Sequence, residues 1–273
     1  MSFNIIVCVK QVPDSDKVRI DPKTGSLIRK GVPGVLNADD CNALEEALAI
    51  KDRFENVHVT AVTMGPPQAR EVLIEALAKG ADEGIIVCDP ALANSDTFVT
   101  SSVLARAISK WADANGGYSL VIAGREASDG DTAQVGPQIA ERLDIPQITY
   151  VSSLSISDDM TSVTAERLLD GSAETVEAQL PCLVTATKHL NAPRYPKMGN
   201  IFGPKNITSW TAADLQLNSD SIGLEGSASV VISSFSMKRR TGTTFVEGEN
   251  GSEQAINLLG ILHERHVIYE VAK

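Results

Sequence analysis

The sequence predicts an α/β fold: a parallel sheet with an antiparallel addition and an extended C-terminal arm. Over residues 4–146, short apolar runs alternate with helix-like segments, which is the pattern of a parallel α/β sheet. From residue 148 the pattern changes to strand-like segments separated by polar turns, which indicates antiparallel strands. Beyond residue 187 the periodicity is lost, and a long irregular segment usually serves a function or rests on a partner. We therefore divide the chain into residues 1–187 and residues 188–273.

Four apolar runs are predicted to be the strands of the parallel sheet. The run Leu120–Ala123 is continuously apolar, as expected of a strand that is buried on both faces. The predicted strands are Ile5–Val9, His58–Met64, Gly84–Cys88 and Ser119–Ala123.

The segments between these strands are predicted to be amphipathic helices. The first begins near Asn37 and has Asp39 and Asp40 in its first turn, where negative charge is favourable. The second begins at Pro66 and ends at Gly80, which is the usual asymmetry of helix ends. The third follows the cap sequence Ser95–Asp96–Thr97, and the fourth spans Thr132–Leu143.

Further strands and one last helix are predicted after residue 147. The antiparallel strands are residues 148–156, 161–168 and 175–180, and Cys182–Thr187 is a further strand. Residues 253–265 place Ile256, Leu259 and Leu262 on one face, which predicts a helix.

The composition excludes several classes of function. The formal net charge of -11 argues against a nucleic-acid partner, because phosphate backbones bind clustered cations. No apolar run is long enough for a membrane span, and the run after residue 4 is too short for a signal peptide, so we expect a cytoplasmic protein. The basic segment Lys238–Arg240 is either a docking patch or a solvated turn.

The cysteines and histidines do not indicate a metal site. The four cysteines are scattered without a Cys-x-x-Cys pair, which argues against a metal cluster or a disulfide framework. The four histidines show no paired spacing with carboxylates, so we expect no metal.

The segment Gly124–Gly136 is the strongest candidate site. It is a polar loop between an apolar strand and a predicted helix, so the free N–H groups of that helix would face the crevice above the sheet, where anions bind. Gly124, Gly130 and Gly136 allow positive φ or close backbone approach, and Asp129, Asp131 and Thr132 are suited to capping the helix or binding ribose and phosphate hydroxyls. The alternative is a helix-capping loop with no ligand.

Other polar loops are predicted at the same sheet edge. They are Cys8–Gln11, Asn37–Asp40 and Thr63–Pro67, and a nucleotide across the ends of several strands would contact such loops. The chain has no P-loop lysine motif, no G-x-G-x-x-G after the first strand and no G-x-S-x-G elbow, so kinase, dehydrogenase and hydrolase functions are not favoured.

The chain resembles the β subunit of electron-transfer flavoproteins over essentially its whole length. The segments that carry the resemblance are Val9–Asp14, Met64–Gln68, Ala78–Asp82, Gly124–Gly136 and Leu190–Tyr195. The resemblance implies a Rossmann-like fold of the adenine nucleotide α-hydrolase type and a heterodimer with a homologous α subunit. It also implies electron transfer through flavin to or from acyl-CoA or similar dehydrogenases, with no substrate-transforming residues in this chain.

The resemblance also implies a nucleotide site and a docking loop. The docking loop falls on residues 187–205, with Arg194 and Tyr195 in it and Met198 as the apolar anchor. The implied nucleotide-site residues are Cys8, Asn37, Ala38, Asp39, Asp40, Met64, Gly124, Arg125, Glu126, Ala127, Ser128, Asp129, Gly130, Asp131, Thr132, Ala133, Gln134 and Val135.

Two branches of the family differ in the ligand of this site. Respiratory-type members bind AMP there, whereas electron-bifurcating members bind a second FAD that receives hydride from NADH. The segment Asp129–Pro137 resembles the bifurcating form, and so does Ser95–Thr97, whose hydroxyls, including that of Thr97, would meet the flavin. Glu126 and Ser128 depart from that form, which usually has Gln and Ile at these positions.

The implied function is therefore hydride transfer from NADH to FAD, with electrons divided between a second flavin and ferredoxin or flavodoxin. The alternatives are a respiratory-type carrier with AMP and a nucleotide-binding sensor protein. A sensor would be self-contained, and the long segment after Thr187 argues against it.

Overall fold

The computed structural model describes residues 2–14, 19–20, 27–28, 33–232 and 243–268. It divides into two compact units, Met1–Ser234 and Phe235–Lys273. This division lies later in the chain than the one drawn from the sequence at residue 187. The basic segment Lys238–Arg240 lies outside the described residues.

The first unit is built on a nine-stranded sheet with the strand order β11-β10-β9-β12-β8-β1-β6-β7-β13. Neighbouring strands from β9 to β13 in that order are parallel, and β10 and β11 add to β9 as antiparallel strands. The predicted α/β class and antiparallel addition are thus confirmed. Two separate two-stranded sheets are formed by β2 with β5 and by β3 with β4. The strands are β1 (Phe3–Cys8), β2 (Gln11–Pro13), β3 (Arg19–Ile20), β4 (Leu27–Ile28), β5 (Gly34–Leu36), β6 (Val57–Met64), β7 (Glu83–Val87), β8 (Leu120–Gly124), β9 (Gln147–Ile156), β10 (Ser162–Leu169), β11 (Ser172–Gln179), β12 (Cys182–Ala186) and β13 (Ile207–Trp210).

Helices cover both faces of the parallel strands. Because side chains alternate along β1, Ile5 and Val7 join one buried cluster while Ile6 and Cys8 join the other. The first cluster includes apolar residues of α1 and α2, and the second includes those of α3 and α4. The helices are α1 (Ala38–Arg53), α2 (Arg70–Lys79), α3 (Thr97–Asn115), α4 (Val135–Leu143), α5 (Met198–Ile201), α6 (Gly223–Gly226) and α7 (Gly251–Glu264).

The strand β13 was not predicted from the sequence. Its four residues pair in parallel with β7 at the edge of the sheet, and none of them is fully buried. The chain that follows contributes Ala212, Leu215 and Ile222 to the second cluster. Residues 188–232 therefore contain more core than their lost periodicity indicated, because a short edge strand and single apolar anchors leave no periodic pattern.

The second unit contains α7, close to the predicted helix at residues 253–265. The Asn250 side chain accepts a hydrogen bond from the Glu253 N–H at 3.0 Å, and Glu253 accepts one from the Glu249 N–H at 2.9 Å. The Asn250 side chain thus caps the helix, which accounts for its start, and Glu253 also holds the backbone of the residue before the cap. Across the described residues, we find no helix whose length and apolarity would allow it to cross a membrane.

Candidate functional site

The order in which the chain adds strands to the sheet reverses between β1 and β8. β1 pairs with β6 on one side and β8 on the other. The chain moves away from β1 through α1 to β6 and returns through α3 to β8. In sheets of this kind, ligands bind in the crevice outside the carboxyl ends of the strands at such a point.

Asp40, in the first turn of α1, joins the ends of these two strands. Its Oδ2 accepts a hydrogen bond from the Lys10 N–H at 2.8 Å, and its Oδ1 accepts one from the Gly124 N–H at 3.1 Å. The residue is only 6% exposed. Burial raises the pKa of the Asp40 carboxyl to about 7, although these hydrogen bonds and one from Asn37 oppose the shift.

The loop after β8 is held against the start of α1. The Asn37 side chain donates to the Glu126 carbonyl at 2.9 Å, and its Oδ1 accepts from the Ser128 N–H at 3.2 Å. Further along the loop, Lys10 Nζ lies 2.6 Å from Asp129 Oδ1. Lys10 lies in the predicted polar loop Cys8–Gln11, although it was not among the individual site residues that the resemblance implied.

The far end of the same loop contacts the other face of the sheet. The Thr97 hydroxyl, at the first residue of α3, donates to Gln134 Oε1 at 2.8 Å. The loop therefore extends from α1 across the strand ends to α3, and it brings together the predicted residues of β8, α1, α3 and the start of α4.

The glycines of the loop have separate structural roles. A Cβ at Gly124 would lie 2.2 Å from Asp40 Oδ1, and one at Gly136 would lie 2.7 Å from the Thr185 methyl, so both positions require close approach. A Cβ at Gly130 would meet nothing within 4 Å. Of the two predicted reasons for these glycines, close approach thus applies to Gly124 and Gly136, while positive φ in the loop falls on Asp131 (45°) and Ala133 (52°).

The N-terminus of α4 carries no side-chain cap among the described residues. The helix begins at Val135, after Gln134, rather than at the predicted Thr132. The expected capping by Asp129, Asp131 or Thr132 is therefore wrong, because the loop turns away through its two left-handed residues first. The N–H groups of Val135 and Gly136 therefore have no side-chain cap among the described residues, while Pro137 in the same turn has no N–H.

A charged cluster borders the crevice beside α1. Arg125 pairs with the Glu126 carboxylate, its Nε lies 3.5 Å from Asp39 Oδ2, and its guanidinium lies 5.8 Å from the centre of the Tyr150 ring. Burial raises the pKa of Asp39, and the charge of Arg125 opposes that shift. Tyr150 was not predicted; it stands in β9 with a φ of 61°, and its N–H donates to Thr185 Oγ1 at 3.0 Å.

Three polar atoms near these strand ends are buried without a hydrogen bond to any residue that the structure describes. They are Asp39 Oδ2, Arg125 Nε and Thr63 Oγ1. Asp39 Oδ2 and Arg125 Nε face each other in the 3.5 Å ion pair described above, which accounts for both atoms. Thr63 Oγ1 is the one of the three that has no partner among the described residues.

Cys8 and Met64 end their strands but point into the core. Cys8 is buried, and burial raises the pKa of its thiol to about 12. Met64 packs against the cluster beneath α3 and α4. Any contact of Cys8 with a ligand would thus go through its backbone, and a protonated, buried thiol is not a nucleophile.

The predicted docking loop is attached to α1 and α2. Arg194 pairs with Glu45 at 2.8 Å and with Asp52 at 2.8 Å, and its carbonyl accepts from Lys79 Nζ at 2.9 Å. The Lys197 N–H donates to the Ala78 carbonyl at 2.9 Å. Arg194 therefore faces inward and serves as an anchor for the loop.

The residues that follow Arg194 expose apolar side chains in a short stretch. Tyr195 is 91% exposed, Met198 72% and Phe202 83%, and Met198 begins the single turn α5. The predicted anchor Met198 thus projects outward, with two aromatic side chains on the same loop.

Comparison with known proteins identifies the family. A family model described as the electron transfer flavoprotein domain matches residues 24–215. The electron transfer flavoprotein subunit beta of Clostridium acetobutylicum is 46% identical over 268 residues, which is 97% of this chain and 100% of that protein. This chain belongs to the electron transfer flavoprotein β-subunit family.

Other relatives of this electron transfer flavoprotein β-family member are parts of named reductase complexes. The caffeyl-CoA reductase-Etf complex subunit CarD of Acetobacterium woodii is 47% identical over 268 residues, with 97% of this chain and 100% of that protein covered. The acryloyl-CoA reductase electron transfer subunit gamma of Anaerotignum propionicum is 38% identical over 274 residues, with the same coverage.

Proposed function

We propose that this electron transfer flavoprotein β subunit forms a heterodimer with an α subunit and holds FAD in the crevice at the ends of β1 and β8. When bound, FAD would accept hydride from NADH and pass electrons on singly to a second flavin and to ferredoxin or flavodoxin. The role of this chain is to bind and orient the cofactor and to set its electrostatic environment.

The observation that carries the proposal is the loop from Gly124 to Gln134. It is held in place by Asn37, Lys10 and Thr97, yet its centre has open space at Gly130 and leads to an uncapped helix. A pyrophosphate suits the N-terminus of a helix such as α4. The donor groups present therefore fit a dinucleotide.

The charge distribution also suits a flavin. Glu126 stands where the bifurcating form usually has Gln, and a lone carboxylate there would oppose negative charge on a neighbouring ring. Arg125 pairs with Glu126 and offsets that charge. The departure at this position is therefore compatible with FAD.

The relatives support the class of partner. Two of them carry names that link them to reductases of caffeyl-CoA and acryloyl-CoA. We infer that this chain serves a flavin-containing dehydrogenase or reductase of an acyl-CoA, which docks on the exposed apolar side chains around Met198. A flexible thioether suits such a contact.

The test begins with co-expression of this chain and its α partner. The purified complex is denatured, and the FAD and AMP released per heterodimer are counted by chromatography and absorbance. Two FAD and no AMP support the proposal, whereas one FAD with one AMP indicates a respiratory-type carrier. A lone homodimer that binds ATP or AMP would support a sensor protein instead.

A second measurement tests the reaction. NADH is added to the complex without oxygen, with ferredoxin and the acyl-CoA enzyme present together or singly. Electron bifurcation requires that ferredoxin is reduced only when both acceptors are present. Ferredoxin reduction that does not depend on the acyl-CoA enzyme would contradict it.

A further inference from the structure

We propose that Asp40 is a positioning residue of the nucleotide site, which acts through the ends of β1 and β8 and does not touch the ligand. The inference rests on the proposed function and deepens it. It changes the role that the family resemblance implied for Asp40, from a ligand contact to a support of the loops that bind.

Asp40 is closed off from the crevice. Its side chain is buried, and both oxygens are occupied by the N–H groups of Lys10 and Gly124. An atom added at the Cβ position of Gly124 would lie 2.2 Å from Asp40 Oδ1 and 2.9 Å from the Asp39 carbonyl carbon. A ligand atom therefore has no room between β8 and the start of α1.

The two residues whose N–H groups Asp40 accepts, Lys10 and Gly124, are connected to the residues that line the crevice. Lys10 contacts Asp129 through its side chain. Gly124 is followed by Arg125, whose N–H donates to the Ala186 carbonyl at 2.8 Å and fixes the loop on β12. The Asp40 carboxylate thus sets the distance between the ends of β1 and β8. The loop is held from both of these strand ends, through Lys10 after β1 and through Arg125 after β8.

Asn37 directly precedes α1, three residues before Asp40 in the first turn of that helix. Asn37 holds Glu126 and Ser128 of the loop, while Asp40 holds the strand ends beneath it. A displacement of the start of α1 relative to β8 therefore moves both sets of contacts together. This arrangement prearranges the loop before a nucleotide arrives, which reduces the ordering cost of binding.

Asp82 is a matched control that lies at the amino ends of the strands, opposite the crevice. Asp82 Oδ2 accepts a hydrogen bond from the Val59 N–H at 2.9 Å, and its Oδ1 lies 2.6 Å from Lys51 Nζ. Asp82 thus also fixes a strand backbone with a carboxylate, but it precedes β7 at the amino ends of the strands. Asp82→Asn disturbs stability without a route to the nucleotide loop.

The experiment uses four heterodimers, in which the α subunit is paired with the wild-type chain or with the variant Asp40→Asn, Asp40→Ala or Asp82→Asn. FAD and AMP are titrated separately into complexes from which the nucleotide of this subunit has been removed. Unfolding is followed on the same samples, and amide hydrogen exchange at Lys10 and Gly124 is measured without nucleotide.

We expect Asp40→Asn to weaken binding of the native nucleotide by about tenfold, while Asp82→Asn leaves it unchanged within about twofold. Amide exchange should accelerate at one of the two positions, Lys10 or Gly124, in Asp40→Asn, because the Asn side chain keeps one acceptor oxygen and turns an N–H group toward the other donor. In Asp40→Ala it should accelerate at both positions. If Asp40→Ala fails to fold, Asp40→Asn carries the comparison.

Equal nucleotide affinity in Asp40→Asn and Asp82→Asn overturns the inference, as does amide exchange in Asp40→Asn that is unchanged at both Lys10 and Gly124. When the wild type binds FAD or AMP and Asp40→Asn binds it equally well, the inference fails and the nucleotide site stands. When the wild type binds neither nucleotide, the proposed function fails and the inference fails with it.

Discussion

Arg194 and Glu45 form a bidentate ion pair between the predicted docking loop and α1. Arg194 Nε lies 2.8 Å from Glu45 Oε2, and a terminal guanidinium nitrogen lies 2.9 Å from Oε1. The Arg194 N–H also donates to the same carboxylate at 2.9 Å. Glu45 therefore fixes both the side chain and the backbone of the residue from which the exposed apolar stretch begins.

Replacement of Arg194 should therefore loosen the docking loop. We expect Arg194→Met to lower the free energy of unfolding by about 2 kcal/mol, because it leaves the largely buried Glu45 carboxylate without its charged partner. Chemical denaturation measures this change. Arg53→Met is the control, since Arg53 is 59% exposed by side chain and lies 4.0 Å from Asp158. Equal losses in the two variants would contradict the anchoring role.

The exposed side chain of Met198 should determine binding of the acyl-CoA enzyme. We expect Met198→Asp to weaken that binding by about tenfold or more, because a charge replaces an apolar contact, with little change in thermal stability. The measurement is titration calorimetry or the rate of electron transfer to the partner. Leu224→Asp, at a half-exposed apolar residue outside the loop, is the matched control. An undiminished rate in Met198→Asp would rule out this docking site.

Two glycines of the nucleotide loop should respond to alanine in different ways. Gly124→Ala is expected to cost about 2 to 3 kcal/mol of stability, because its Cβ would collide with the Asp40 side chain and backbone. Gly130→Ala should change stability by less than about 1 kcal/mol, because its Cβ meets open space and its φ is not positive.

The nucleotide affinity of Gly130→Ala then shows whether the bound ligand contacts the loop at Gly130. A stable variant with weaker nucleotide binding would place the ligand against Gly130. Titration of FAD and AMP into the stripped heterodimer provides the measurement, and unchanged affinity would move the ligand away from this residue.

The raised pKa of Asp40 predicts a pH-dependent stability. Its carboxyl titrates near 3.8 in the unfolded chain and at about 7 in the folded protein, so the folded state binds the proton more tightly. The stability that this adds is complete below pH 4 and is lost as the pH rises through 7. We expect the difference in unfolding free energy between wild type and Asp40→Asn to fall over this range, by at most about 1.4 kcal/mol per pH unit. Denaturation at several pH values measures it, and a flat difference would contradict the shift.

Most of the fold was predictable because its signals are local. The strand β8 follows from a continuous apolar run, and α3 follows from a stripe of apolar residues after an Asp96 cap whose side chain accepts from the Val99 N–H. The candidate site followed from the rule that polar loops at strand ends meet at one edge. The parallel order of β12 between β8 and β9 was not accessible, because pairing partners depend on contacts distant in sequence.

The parts that were missed depend on contacts between segments. The orientation of Arg194 toward Glu45 joins residues far apart in sequence, and the inward direction of Asp40 depends on where β1 and β8 end. The strand β13 was missed because lost periodicity does not detect a short edge strand. The division of the chain at residue 187 stays a prediction. The packing of the docking loop and the C-terminal arm on an α subunit stays a prediction.

The left-handed backbone at Asp131 and Ala133 bears on how this protein responds to selection. Residues other than glycine in this conformation cost on the order of 1 kcal/mol each, and that cost persists whether or not a ligand is present. Selection for heat resistance alone should therefore enrich asparagine or glycine at these two positions. Sequences that keep Asp131 and Ala133 accept a less stable fold in exchange for a loop whose shape is already set.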